Sequence, residues 1–209
     1  ELHTDRCLLV KSPPEIRIQD HQSVRDLIQD SRPTWIINAA AMTNVDSAHE
    51  EIEEAFSTNA LAPGWIARCA RDFGSRMIHI SSEAVYQGNR ESAYREDDTC
   101  QPVSVYGASK LAGDLLVEIN CPDSYILRTS WLYSDHTGTN FPTRILEQLE
   151  RSDQDLHVVT DIFGNPTPTQ ILARAIRMIL LARPEPGLYN VCCTEAASKY
   201  EWALTIAES

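Results

Sequence analysis

Tyr106 and Lys110 stand four residues apart in Tyr106-Gly107-Ala108-Ser109-Lys110, at the start of a stretch whose apolar spacing predicts a helix. That spacing puts phenol and ammonium on one helical face, where the cation favours the phenolate. A phenol tuned in this way can hand its proton to a carbonyl oxygen. An unperturbed tyrosine ionises near pH ~10, and each unit of depression is worth about 1.4 kcal/mol. Read alone, the pair is equally two residues of an exposed helix. Upstream, Ile80-Ser81-Ser82-Glu83 closes an apolar run. Substrates of α/β sheets bind at the carboxyl ends of strands, so the Ser82 hydroxyl can reach the carbonyl that Tyr106 would protonate. A serine there also reads as the N-cap of the next helical turn. In Asn38-Ala39-Ala40-Ala41-Met42-Thr43, small residues at another strand end would let a flat ligand approach the backbone, or serve close helix packing.

The elements that must position these residues alternate, as in an α/β domain with a mainly parallel sheet. Strands are predicted at Trp35-Ile36-Ile37-Asn38, Met77-Ile78-His79-Ile80, Tyr125-Ile126-Leu127-Arg128, Leu156-His157-Val158-Val159 and Leu188-Tyr189-Asn190-Val191. Val24, Leu27 and Ile28 share a helical face before Pro33. Ile52, Ala55 and Phe56 begin a second helix, bent at Pro63 and ending at Gly74. A third runs from Tyr106 to Ile119 with Leu111, Leu115 and Glu118 or Ile119 marking its repeat. Residues 171–181 and 200–207 add two more.

Composition narrows the function classes. The chain has 209 residues, 43% of them hydrophobic, enough for one main domain with a small appendage. A net charge of -12 without a basic cluster argues against nucleic acid and anionic membrane surfaces. No apolar run approaches the roughly 20 residues of a bilayer-spanning helix, and the first residues do not resemble a signal peptide. The expected location is cytoplasmic. The six cysteines, Cys7, Cys69, Cys100, Cys121, Cys192 and Cys193, show no zinc-site spacing and read as reduced, mostly buried thiols, with strand alternation sending Cys192 and Cys193 to opposite faces.

Taken in order, these pieces resemble the extended short-chain dehydrogenase/reductases, and within them the dTDP-4-dehydrorhamnose reductase family. The resemblance rests on Asn38-Ala39-Ala40-Ala41 with Thr43 and Asp46, Asn59, Ile80-Ser81-Ser82, Val85-Tyr86, Tyr106-Gly107, and Lys110-Leu111-Ala112-Gly113. It continues through Arg128-Thr129-Ser130-Trp131-Leu132-Tyr133 and Asp161-Ile162-Phe163-Gly164-Asn165-Pro166-Thr167, and Lys199-Tyr200-Glu201-Trp202 resembles a stretch late in the substrate-binding lobe. It implies a Rossmann-like, doubly wound parallel sheet over residues 1–135 and a contribution to a small substrate-binding lobe from residues 136–209. The implied reaction is reduction of the 4-keto group of a nucleotide-linked 6-deoxy sugar by NADPH or NADH. Tyr106, Lys110 and Ser82 would be catalytic. Arg17, Ile18, Ala41, Met42 and Thr43, with Tyr106 and Lys110, would line the cofactor, and Ser82, Glu83 and Trp131 the substrate. Lys110 would hold the cofactor ribose and lower the Tyr106 pKa. A homodimer, bridged in some members by magnesium, is also implied.

The sequence departs from that pattern in places. The family's glycine-rich first βα unit has no counterpart, since the first glycine is Gly64 and the start of the chain carries Pro13-Pro14. A partial copy of a longer chain and a protein without dinucleotide binding both meet that observation. Ser82-Glu83-Ala84 replaces the family's Thr-Asp-Tyr, keeping hydroxyl and charge. Arg17 replaces an acidic residue, and a guanidinium there either pairs with a 2′-phosphate, selecting NADPH, or is simply solvated. The alternatives are a catalytically silent regulatory protein of the same fold and a nucleotide-sugar epimerase or dehydratase.

Overall fold

The structure is a computed structural model and describes residues 15–90, 92–134, 140–151 and 155–208. Cys7 and Pro13-Pro14 lie outside these residues.

Strands β1 (Trp35–Asn38), β2 (Arg76–Ser82), β3 (Tyr125–Thr129) and β7 (Gly187–Asn190) form a parallel four-stranded sheet in the order β1-β2-β3-β7. The sheet is Rossmann-like and covered on both faces. Helices α1 (His21–Ser31), α4 (Ala62–Phe73) and α5 (Val105–Asn120) close one face around Val24, Ile28, Ile66, Met77, Val117 and Ile126. Helix α7 (Thr169–Ala182) closes the other through Leu172 and Ile179 against Ile78, Tyr125 and Leu127. β2 and β3, buried along most of their length, read as near-continuous apolar runs, and the partly exposed β1 and β7 are short, mainly apolar runs as well.

Local chemistry sets the ends. The Asp20 carboxylate accepts from Ser23 N (3.2 Å) to start α1, and Arg32 in the left-handed region stops it before Pro33. The bend expected at Pro63 is a π-helical segment, Ser57–Leu61, between α3 (Ile52–Phe56) and α4. Pro63 has no N–H for the carbonyl of Asn59 four residues back, so the regular ladder cannot continue there.

Two expectations are corrected. Leu156–Val159 pairs with none of the described strands and is irregular, with Val159 exposed. Its apolar alternation is real, but a strand needs a neighbour to take its hydrogen bonds. On α5 the leucine repeat is not the buried face: Leu115 is 51% and Ile119 70% exposed, while Ser109, Lys110, Gly113, Asp114 and Val117 are buried. This helix turns a largely polar stripe inward because polar partners wait on β2 and β3.

Two short strand pairs lie outside this sheet. Strand β4 (Leu132–Tyr133) pairs with β6 (Thr167–Pro168), and β5 (Phe163–Gly164) with β8 (Ala197–Ser198). Helix α6 (Phe141–Arg151) packs on α8 (Lys199–Ala207), which opens with a capping box between Ser198 and Glu201. Cys69 and Cys121 are buried, Cys100 and Cys193 half-buried and Cys192 exposed, all as free thiols. No helix among the described residues is long and apolar enough to cross a membrane.

Candidate active site

The end of β2 and the first turn of α5 are brought together by Gly107. A Cβ there would overlap the carbonyl oxygen of Ala84, so only glycine lets the helix approach the loop after Ser82. The Ser104 hydroxyl caps α5 by accepting from Gly107 N (3.0 Å). Tyr106 is thereby held against Ser82. The Ser82 hydroxyl donates to Glu83 Oε2 (2.9 Å) and accepts from Ala84 N (3.2 Å), so it is both the expected strand-end hydroxyl and an N-cap.

The electrostatics differ from the expected pairing. The Lys110 ammonium is 1% exposed and donates to the Ile80 carbonyl (2.7 Å). Burial pushes its pKa down to about 8, against the pull of the Asp114 carboxylate. The Tyr106 phenol is raised to about 12, chiefly by burial, with Glu83 and Asp114 adding to the rise and contact with Ser82 opposing it. The expected depression of Tyr106 by Lys110 is therefore corrected: burial and two carboxylates dominate, and Lys110 turns to a backbone carbonyl. Burial also raises the Glu83 carboxyl, while Ser82, Ser130 and Lys199 draw it down.

Beneath these groups runs a buried polar network that sequence reading missed. Asp114, four residues after Lys110 on the same face, lies 3.0 Å from Arg128 Nε of β3. Arg128 donates to the Tyr86 hydroxyl (2.8 Å), and Tyr86 donates to Asn190 Oδ1 (3.1 Å). On β2, His79 is fully buried, with Nε2 4.0 Å from Asp114 Oδ1 and Nδ1 3.2 Å from the Asn38 amide nitrogen. Burial, then the Lys110 charge, pushes the His79 pKa far down, so it is neutral at pH 7. Because the Asn38 amide nitrogen can only donate, Nδ1 accepts and Nε2 carries the proton. Asn38 Oδ1 accepts from Ala40 N (3.3 Å), tying this network to the alanine loop. Tyr106 plus eight, on a helix, was the signal available for Asp114.

The segment Ala41-Met42-Thr43 is pinned by Asn59, which is fully buried. Its carboxamide accepts from Met42 N (2.9 Å) and donates to Met42 O and to Ser109 Oγ (3.0 Å each). One side chain thus couples the loop after β1 to the residue preceding Lys110. Arg17 is exposed, whereas Ile18 is half-buried and packs on the α1–α4 core. Gln19 ties this stretch to the α3 end through Glu54 (2.7 Å) and Thr58 (2.8 Å).

Trp131 takes φ 39°, a conformation uncommon for a bulky residue. It stacks on Trp202 at 5.5 Å, and Phe141 stacks on Trp202 at 4.7 Å. Lys199, which the sequence reading did not single out, sits over this cluster. Among the described residues no group of three or more His, Cys, Asp or Glu gathers as metal ligands would.

The model of the RmlD substrate binding domain family matches residues 3–209. A spore coat polysaccharide biosynthesis protein, SpsK, of Bacillus subtilis is 37% identical over 193 residues, covering 92% of this chain and 67% of its own length. A dTDP-4-dehydrorhamnose reductase of Escherichia coli K12 is 36% identical over 191 residues, covering 90% of this chain and 63% of its own length. The crystal structure of dTDP-4-dehydrorhamnose reductase from Bacillus anthracis in complex with NADP superposes with a TM-score of 0.85 at 33% identity, covering 92% of this chain and 68% of that one. The chain thus spans about two thirds of the length of the relatives it matches. With the Tyr106–Ser82–Lys110 arrangement on a Rossmann-like sheet, and a family model matched along almost its whole length, the chain belongs to the RmlD substrate-binding-domain family, that of the dTDP-4-dehydrorhamnose reductases.

Proposed function

We propose that this chain carries the proton-donating and substrate-facing part of an NAD(P)H-dependent reductase acting on the 4-keto group of a nucleotide-linked 6-deoxy sugar. The observation that carries the reading is the meeting of Tyr106, Ser82 and Lys110 at the carboxyl end of β2. The family membership and the named activity of the relatives support it, as does the NADP held by the Bacillus anthracis protein.

A bound nicotinamide would supply the hydride to the carbonyl carbon. Tyr106, at about 12, stays protonated at neutral pH and can deliver its proton to the alkoxide that forms. Ser82 stabilises the same oxygen once its proton turns from Glu83 toward the substrate. Lys110 spends one N–H on Ile80 and has two left for ribose hydroxyls. The exposed Ala39 and Ala40, and the loop that Asn59 holds, fit the close approach of a flat ring. These residues fit the nicotinamide–ribose half of the cofactor. Among the described residues no glycine-rich turn stands ready for the pyrophosphate, the first glycine being Gly64.

The test is NADPH and NADH binding to the chain, monitored by fluorescence, with turnover of dTDP-4-keto-6-deoxy-hexose by wild type and Tyr106→Phe. Binding with turnover that Tyr106→Phe abolishes is the expected result. A well-folded chain that binds neither cofactor and turns nothing over would favour a silent binding role instead.

A further inference from the structure

Lys199 opens α8, with its ammonium 3.5 Å from the centre of the Trp131 ring, 4.4 Å from Phe141 and 5.1 Å from Trp202. Its side chain has no hydrogen-bond acceptor among the described residues, so its contacts are aromatic faces. Ring quadrupoles hold a cation in place but leave its N–H donors open. The perch itself is built with care. Trp131 adopts its left-handed backbone conformation, and its indole lies where a Cβ on Gly164 would be, so glycine at 164 is what lets the ring settle there. Lys199 also lies on the side of the sheet end that carries Ser82, since Trp131, under its ammonium, follows two residues after Thr129, the β3 partner of Ser82.

A half-buried ammonium with open donors, next to a substrate-side tryptophan, is suited to an anionic oxygen. We infer that Lys199 binds the diphosphate of the nucleotide sugar and so fixes which end of the substrate enters toward Ser82 and Tyr106. This rests on the function proposed above. A neutral 6-deoxy sugar has no carboxylate, which leaves the diphosphate as the anionic group that Lys199 can select. The lowered Lys199 pKa, about 8 through burial with Glu83 opposing, fits a cation that gains from an added anion.

The experiment titrates dTDP against the 209-residue chain, read by fluorescence of the tryptophans under Lys199, for wild type, Lys199→Gln and Lys199→Arg. Lys199→Gln should bind about tenfold to a hundredfold more weakly, the range a lost charge-assisted hydrogen bond gives, with Lys199→Arg close to wild type. Equal binding by wild type and Lys199→Gln would overturn the assignment and leave the nucleotide-sugar reading standing. A wild-type chain that does not bind dTDP at all would overturn both. A measurement on wild type alone guards against a misfolded variant: dTDP, but not thymidine, should protect Lys199 from amine acylation, read by mass spectrometry. Equal labelling in both would also sink the proposal.

Discussion

Asp114 Oδ2 and Arg128 Nε lie 3.0 Å apart with 3% and 5% of their residues exposed, and this buried pair joins the helix that carries Tyr106 and Lys110 to the strand beside β2. Removing one partner leaves the other charged and out of water. Asp114→Asn is expected to cost about 3–5 kcal/mol. Asp114→Leu combined with Arg128→Met should cost less than the sum of the single changes. Urea unfolding of five proteins checks both statements: wild type, Asp114→Asn, Asp114→Leu, Arg128→Met and the double change.

The buried lysine makes a pH prediction whose sign is set by its lowered pKa. Folded Lys110 loses its proton near pH 8, and in the unfolded chain it does so at the ordinary 10.5. Between those values the unfolded state holds more protons, so the contribution of Lys110 to stability rises with pH across that window and is least below 8. From pH 8 to 10.5 the stability of wild type relative to Lys110→Met should improve by on the order of 3 kcal/mol. Denaturant melts of both at several pH values provide the comparison, and no trend in the difference would refute it.

For Tyr106 the raised pKa predicts late ionisation. In an absorbance titration of the folded chain, the phenolate signal appearing near pH 12 should be missing from Tyr106→Phe. Ser82→Ala, which removes the contact that holds the value down, should delay that step further.

Gly107→Ala drives a methyl group into the Ala84 carbonyl. The expected loss is about 1–3 kcal/mol of stability, with the first turn of α5 displaced from the strand end. A fall in melting temperature together with weakened turnover is the anticipated pair of effects.

Leu115→Gln on the exposed face of α5 should change stability by less than about 0.5 kcal/mol, whereas Val117→Ala, fully buried two residues on, should cost about 1–3 kcal/mol. Thermal melts of the two variants distinguish the observed burial from the face that the leucine repeat suggests.

What the sequence by itself determined was local. The Tyr106–Lys110 spacing, the serine closing an apolar run and the four core strands depend on residues adjacent in the chain, where periodicity and capping act. Only the tertiary structure decided the rest. Leu156–Val159 has strand-like alternation, yet a ladder requires a partner that the fold does not bring to it. The inward face of α5 is polar because His79 and Arg128, far apart in sequence, meet Asp114 there. Tyr106 is raised and not lowered because depth of burial, a property of the packed molecule, dominates, with the Glu83 and Asp114 carboxylates adding to it.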